Sequence, residues 1–207
     1  KTLYKYKDSR LTDVQKNTKK IAIFDYENNL KELKEFPHHD YPLNQIGGIH
    51  LNTIEFLSDM HPVRNISEAE GFIERVNLIK QVYEGTLKDL EKQADAGIYP
   101  PEFVYEHVIE QLNEFIGFTY EEHPLFTQFI KKVNDLDITN KEKASLEEAI
   151  KNGIDESVTP GFILLRDFMI RTQKNANKNH GIWSQPNGDE YYKLRIRTYT
   201  TTDYSPE

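Results

Sequence analysis

The chain has no cysteine. Disulfides, thiolate metal sites and cysteine nucleophiles are therefore excluded. It has one tryptophan and two methionines, and no apolar run approaches the roughly 20 residues of a membrane-spanning helix. Positive charge is also short. The formal net charge is -8, which excludes a general nucleic-acid binder. No phosphate-cradling glycine loop, Rossmann glycine pattern, Gly-x-Ser-x-Gly elbow or His-Glu-x-x-His pair occurs. No secretory leader is evident, although the first residue is Lys rather than Met, which leaves room for a removed one.

What remains is a chain of 207 residues, long enough to bury a core, with an uneven charge distribution. The segment from Arg166 to Arg197 carries +4, which leaves -12 for the rest. That basic segment either docks on acidic parts of the same protein or faces an anionic ligand.

Apolar spacing points to helices almost throughout. Leu11, Val14, Ile21, Phe24, Leu30 and Leu33 mark a helix from about Arg10 to Phe36, stopped by Pro37. Ile49 to Met60 reads as a short amphipathic helix. Ser67-Glu-Ala-Glu70 reads as a capping box that opens one long helix through Phe72, Val76, Ile79, Tyr83, Leu87 and Leu90, with Gly97 as its stop. Further helices follow over Pro101 to Gly117 and Pro124 to Leu136, and another after the capping box Thr139-Asn-Lys-Glu142. Pro160 either kinks that last helix or begins the next one, through Phe162, Leu165, Phe168 and Met169. Past Gly181 the signals conflict. Leu194, Ile196 and Thr198 alternate as in a strand, whereas Asn187-Gly-Asp-Glu190 is a helix-start signal, and helix is the preferred reading. The fold class expected is all-α, an irregular multi-helix array with long connecting loops, part of a larger cleft-forming protein.

Candidate site residues fall in two places. Asn44 and Gln45 precede Gly47-Gly48, where their amides either satisfy buried main chain or line a cleft. Tyr191, Tyr192, Arg195 and Thr198 either form the packed side of an amphipathic element or stack on and pair with a peptide-like or sugar-like ligand. His38, His39 and Asp40 are metal-ligand types, but adjacent positions on a loop are not a metal-site spacing. His107 is expected to be a structural histidine beside the Val104, Val108 and Leu112 face. No catalytic or metal residue is assigned. Ser205-Pro206-Glu207 reads as the start of another helix, so the chain is expected to continue, and one face of Phe162 to Tyr204 is expected to be an exposed apolar patch.

Three blocks carry a family resemblance: Tyr41-Pro-Leu-Asn-Gln-Ile-Gly-Gly48, Ala96-Gly-Ile-Tyr-Pro-Pro-Glu-Phe-Val-Tyr105, and Gly188-Asp-Glu-Tyr-Tyr192 followed by Thr198 to Glu207. In this order and spacing they resemble the bacterial family known as domain of unknown function 885, over about residues 40–207. Residues 1–39 read as a leading helix and connector, and the whole as one helical domain or sub-domain cut at its C-terminal end. The resemblance implies a protein about three times as long, often with a lipoprotein leader, placed outside the cytoplasm. It further implies a zinc-dependent, peptidase-like activity whose metal motif lies in a later part, with Asn44 to Gly48 and Tyr191 to Thr202, Thr200 and Thr201 among them, lining or buttressing the cleft opposite it. No cofactor is expected in this chain, with zinc in the full-length protein. The partners implied are the remainder of the same polypeptide and a peptide substrate, with neither nucleic acid nor a transmembrane segment.

Overall fold

Local capping chemistry sets most helix boundaries in the computed structural model, which describes residues 2–205. The helix start expected at Ser205-Pro206-Glu207 lies outside the described residues. Nine α-helices are described: α1 (Asp13–Glu35), α2 (Ile49–Glu55), α3 (Ile66–Asn77), α4 (Ile79–Asp95), α5 (Glu102–Gly117), α6 (Pro124–Asn134), α7 (Asn140–Gly153), α8 (Thr159–Thr172) and α9 (Gly188–Thr200). Among the described residues there is no β-strand, only an isolated bridge between Pro101 and Asn177. The all-α expectation is correct. No helix among the described residues is long and apolar enough to cross a membrane.

The contacts divide the chain into residues 1–40 with 180–207, and residues 41–179. Within the first of these, the C-terminal stretch packs with the leading helix: α9 lies against α1.

Two caps follow the expected pattern. Thr139 and Glu142 satisfy each other's backbone N–H groups at the start of α7. Gly97, at φ 73°, ends the α4 segment in the left-handed conformation that glycine adopts without strain. Another is corrected. The cap of α3 is Asn65, whose Oδ1 accepts from the Glu68 N–H at 3.0 Å, while the Glu68 carboxylate accepts from the Arg64 N–H at 2.9 Å. The helix therefore starts before the expected box at Ser67.

The long helix expected through Leu90 is in fact two, interrupted at Leu78. Its apolar seam survives the break, since Phe72, Val76, Ile79, Tyr83 and Leu90 are all buried. The helix expected over Ile49 to Met60 ends as a π-helical turn, Phe56–Met60. The Lys132 ammonium donates to the carbonyl oxygens of Ser58, His61 and Leu57 at 2.5, 2.9 and 3.4 Å, which satisfies groups that the widened turn leaves open. His107 is corrected as well: its side chain is exposed, with Glu110 3.9 Å away.

Helix α8 is the hub of residues 41–179. It packs against α4 and α5, and it continues from α7 through a second π-helical turn, Ile154–Val158. Pro160 falls in its first turn, where a missing N–H removes no helical bond. Phe162 stacks on Phe115 at 5.0 Å between ring centroids and meets Tyr83 at 5.7 Å. The approach is close enough to require Gly161, where a Cβ would sit 2.9 Å from the Tyr83 ring and 3.4 Å from the Lys80 Cα. Phe162, Leu165, Phe168 and Met169 are buried, whereas Ile170, Trp183, Tyr192 and Tyr199, in the stretch where an exposed apolar patch is expected, are exposed.

The interruption at Leu78 faces the π-turn of Ile154–Val158. The buried Ser157 hydroxyl donates to the Asn77 carbonyl at 3.0 Å and accepts from the Lys80 N–H at 3.0 Å. One side chain thus serves a carbonyl and an N–H on either side of the break. Ser157→Ala leaves both without it and is expected to destabilise the protein by about 1–3 kcal/mol, read by urea unfolding.

Four histidines, His39, His50, His61 and His123, are buried. Burial pushes His123 down to about 4 and lowers His50 and His61. Unfolded histidine takes up a proton near pH 6.5, but folded His123 resists until about pH 4. Its contribution is therefore fully present above pH 6.5 and is lost as pH falls toward 4, on the order of 3 kcal/mol. The His123 Nδ1 accepts from the Leu125 N–H at 3.2 Å and caps α6. His123→Asn keeps a capping acceptor, so the expected result is a shallower decline in thermal stability between pH 6.5 and 4.

Candidate functional site

The polar and aromatic residues of α9 assemble with the end of α1 in the unit formed by residues 1–40 and 180–207. A small core of Phe36, Tyr191 and Leu194, with Ile182 against it, anchors the two helices. His39 packs its ring on Phe36 and on Tyr191, at 5.2 and 4.9 Å. Its Nε2 lies 2.6 Å from the Pro186 carbonyl oxygen. A carbonyl only accepts, so Nε2 carries the proton.

Glu32 on α1 is the centre of the cluster. Its Oε1 accepts from the Arg195 guanidinium at 3.0 Å and from the Tyr191 hydroxyl at 3.3 Å. Arg195 also donates to the Tyr199 hydroxyl at 2.8 Å, and its guanidinium lies 4.8 Å over the Tyr199 ring. Burial pushes the Tyr191 hydroxyl up to about 12, with the nearby Glu32 and Asp40 carboxylates acting in the same direction and Arg195 against it. Tyr191 therefore stays protonated and donates. Two residues beyond Arg195, Arg197 donates to the buried Asn28 amide oxygen and to Asp203 at 2.7 Å, and lies 4.6 Å over the Phe24 ring. Beside Glu32 an open depression of about 460 Å³ is lined by Asn29, Glu32, Leu33, Phe36, Pro37 and Asp40. Acidic groups on an apolar wall suit an ammonium or guanidinium carried on an apolar stem.

The expected site residues divide accordingly. Tyr191 and Arg195 meet at Glu32. Tyr192 is about half exposed on the same helix. Thr200 and Thr201 end α9: Thr200 donates to the Ile196 carbonyl at 2.7 Å, and Thr201, at φ 55°, donates to the Thr200 carbonyl at 2.7 Å. Asn187, also at φ 55°, occupies the N-cap position of α9 but makes no side-chain cap bond. Asn44 and Gln45 lie in the other unit. The Asn44 Oδ1 accepts from the Ile46 and Gly47 N–H groups at 3.1 and 2.8 Å, and its Nδ2 donates to the Tyr41 carbonyl at 3.0 Å. Asn44 thus takes the main-chain role. The Gln45 carbonyl accepts from Gln111 at 3.1 Å, and Gln111 in turn faces the His50 Nε2 at 3.0 Å. Glu32, His50 and Gln111 carried no sequence signal, since each sits singly in an ordinary helical or loop context, and His39 stood out only as a metal-ligand type.

The family resemblance places its zinc motif in a later part of the protein, outside this chain. Among the described residues no group of three His, Cys, Asp or Glu converges to hold a metal ion. His39, the buried member of the His38-His39-Asp40 run, is turned onto the rings of Phe36 and Tyr191 and the Pro186 carbonyl instead.

The family model described as "Bacterial protein of unknown function (DUF885)" matches residues 1–207. The chain belongs to this family. The match includes the leading helix, so the family region is wider than the expected 40–207. No curated protein matches the chain. Among solved structures, one described as "the putative lipoprotein from Colwellia psychrerythraea" is similar at a TM-score of 0.78 and 23% identity, over 80% of this chain. At that identity the likeness shows the fold alone. The chain spans 28% of the length of that structure's chain.

The Glu32–Arg195 pair is partly shielded, with side-chain exposures of 26% and 32%. Glu32→Gln and Arg195→Met are expected to destabilise the protein less than additively. A double-mutant cycle in urea should return a coupling of about 1 kcal/mol, above a wholly exposed pair and well below a buried one.

Proposed function

We propose that this chain is the non-catalytic part of a larger, zinc-dependent peptidase-like hydrolase, in which it supplies a wall of the substrate cleft. The observation that carries the reading is one of coverage: the family model matches the whole chain, yet the chain accounts for only 28% of a structure with the same fold. Zinc ligation and hydrolytic chemistry would then belong to residues outside these 207. The remainder of the polypeptide is the first partner of this chain. A peptide is the substrate class, with its basic or amino-terminal group in the depression beside Glu32 and its planar groups against the exposed rings of Tyr192 and Tyr199. An extracytoplasmic, lipoprotein-anchored location is supported by the description of the similar structure.

A second reading, a helical binding or scaffold module without catalysis, is favoured by a different observation. Arg195 is paired with Glu32 and Tyr199, and the Thr200 and Thr201 hydroxyls bond backbone carbonyls. Groups expected to meet a substrate hold the fold.

Intact mass, zinc content and peptide hydrolysis of the natural gene product separate the two. The hydrolase reading expects a mass well above 24.3 kDa, about one zinc per chain and cleavage of peptides. A product of 24.3 kDa that binds no zinc and cleaves no peptide would leave the scaffold reading.

A further inference from the structure

We propose that the open apolar stripe of α1 is a docking groove for a helix of the same polypeptide that lies outside these 207 residues. This rests on the reading above, that the protein extends beyond the present chain. Helix α1 is inverted relative to an ordinary amphipathic helix. Its fully buried residue is polar, Asn28, at 1% exposure, whereas Tyr26, Leu30 and Leu33 are 68, 52 and 72% exposed. Ile23, Tyr26, Leu30 and Leu33 recur at steps of three, four and three, and so share one side of the helix. Asn28 and Phe24, which meet Arg197 of α9, lie on another side.

The stripe is one wall of a groove. Leu3 and Tyr4 form the other, and the Tyr4 hydroxyl is held by a hydrogen bond to Glu27. Between them lies an open volume of about 720 Å³, lined mainly by carbon. From Ile23 to Leu33 the stripe runs about 15 Å, or three helical turns, at the spacing that interlocks with a second helix. A row of this kind left in water is the mark of a surface that another element covers.

The occupant is indicated by chain length. The fold of this chain matches only 28% of the similar solved structure, so most of that protein lies beyond the match. A helix from such a region, with its own apolar residues at steps of three and four, has the shape and chemistry that the groove lacks.

Radical footprinting of the natural gene product, run where it is monodisperse and monomeric, tests this. Peptides containing Tyr26, Leu30 and Leu33 are expected to be labelled at least about tenfold more slowly than in the unfolded product, consistent with a covered face. Introducing Leu30→Lys together with Leu33→Lys is expected to restore labelling of Tyr26. A longer product in which Tyr26, Leu30 and Leu33 are labelled freely would overturn the groove while leaving the larger-protein reading intact. Protection present only in a dimer would overturn it in favour of a second copy. A gene product of 24.3 kDa would overturn both.

Discussion

A single hydroxyl joins two interruptions in helical backbone, and the arrangement of residues 41–179 depends on it. Where α3 gives way to α4, the Asn77 carbonyl and the Lys80 N–H lie on either side of a break. Where α7 gives way to α8, a π-helical turn pushes Ser157 outward. The hydroxyl donates to the Asn77 carbonyl and accepts from the Lys80 N–H, so a side chain of the second interruption satisfies backbone groups opened by the first. Two straight helices in these positions would offer no open backbone groups for a side chain to bridge. The paired breaks also fix the depth of α8. With Ser157 pinned and Gly161 against Tyr83, the apolar side of α8 is carried into the core, where Phe162 stacks on Phe115.

The other unit is held together differently. Its apolar core is small: Phe36, Tyr191 and Leu194, with Ile182 alongside. The rest of the contact between α1 and α9 is polar and cationic, through Glu32 with Arg195 and through Asn28 with Arg197. Such contacts carry modest net stability, because each donor and acceptor exchanges one set of partners for another on folding. Their geometry is restrictive, however. A guanidinium fixed by a carboxylate and a tyrosine hydroxyl holds the helices in one rotational setting. That setting determines which side of α1 stays open, and it leaves the apolar stripe uncovered.

The sequence was informative where one physical requirement acts alone. Thr139 with Glu142, and Gly97 after α4, each answer a local backbone demand, and both were readable. The apolar seam from Phe72 to Leu90 was readable for the same reason, because three- and four-residue steps describe one side of a helix. The break at Leu78 was not. The seam runs through it without a change of phase, and its partner, Ser157, is far away in the chain. The cap of α3 was misplaced because Ser67 and Glu70 imitate a capping box two residues beyond Asn65, the real N-cap. In the candidate site, Tyr191 and Arg195 were found from composition. Glu32 was not, since one glutamate among the charges of α1 acquires its role only when α9 lies against it.

The same packing bears on what kind of surface this chain presents. Several charged and hydrogen-bonding groups are engaged within the fold. Arg195 and Arg197 are held by α1, Asn44 by its own loop, Lys132 by three carbonyls, and the α9 threonines by main chain. Beside the many exposed charges of the chain stand exposed rings and aliphatic chains: Tyr26, Leu30 and Leu33 on α1, and Trp183, Tyr192 and Tyr199 near α9. Apolar groups of this kind recognise by shape and exclusion of water. That favours a wall or support that other segments pack against. The depression beside Glu32 is the exception, because carboxylate groups and an apolar wall meet there at an open surface.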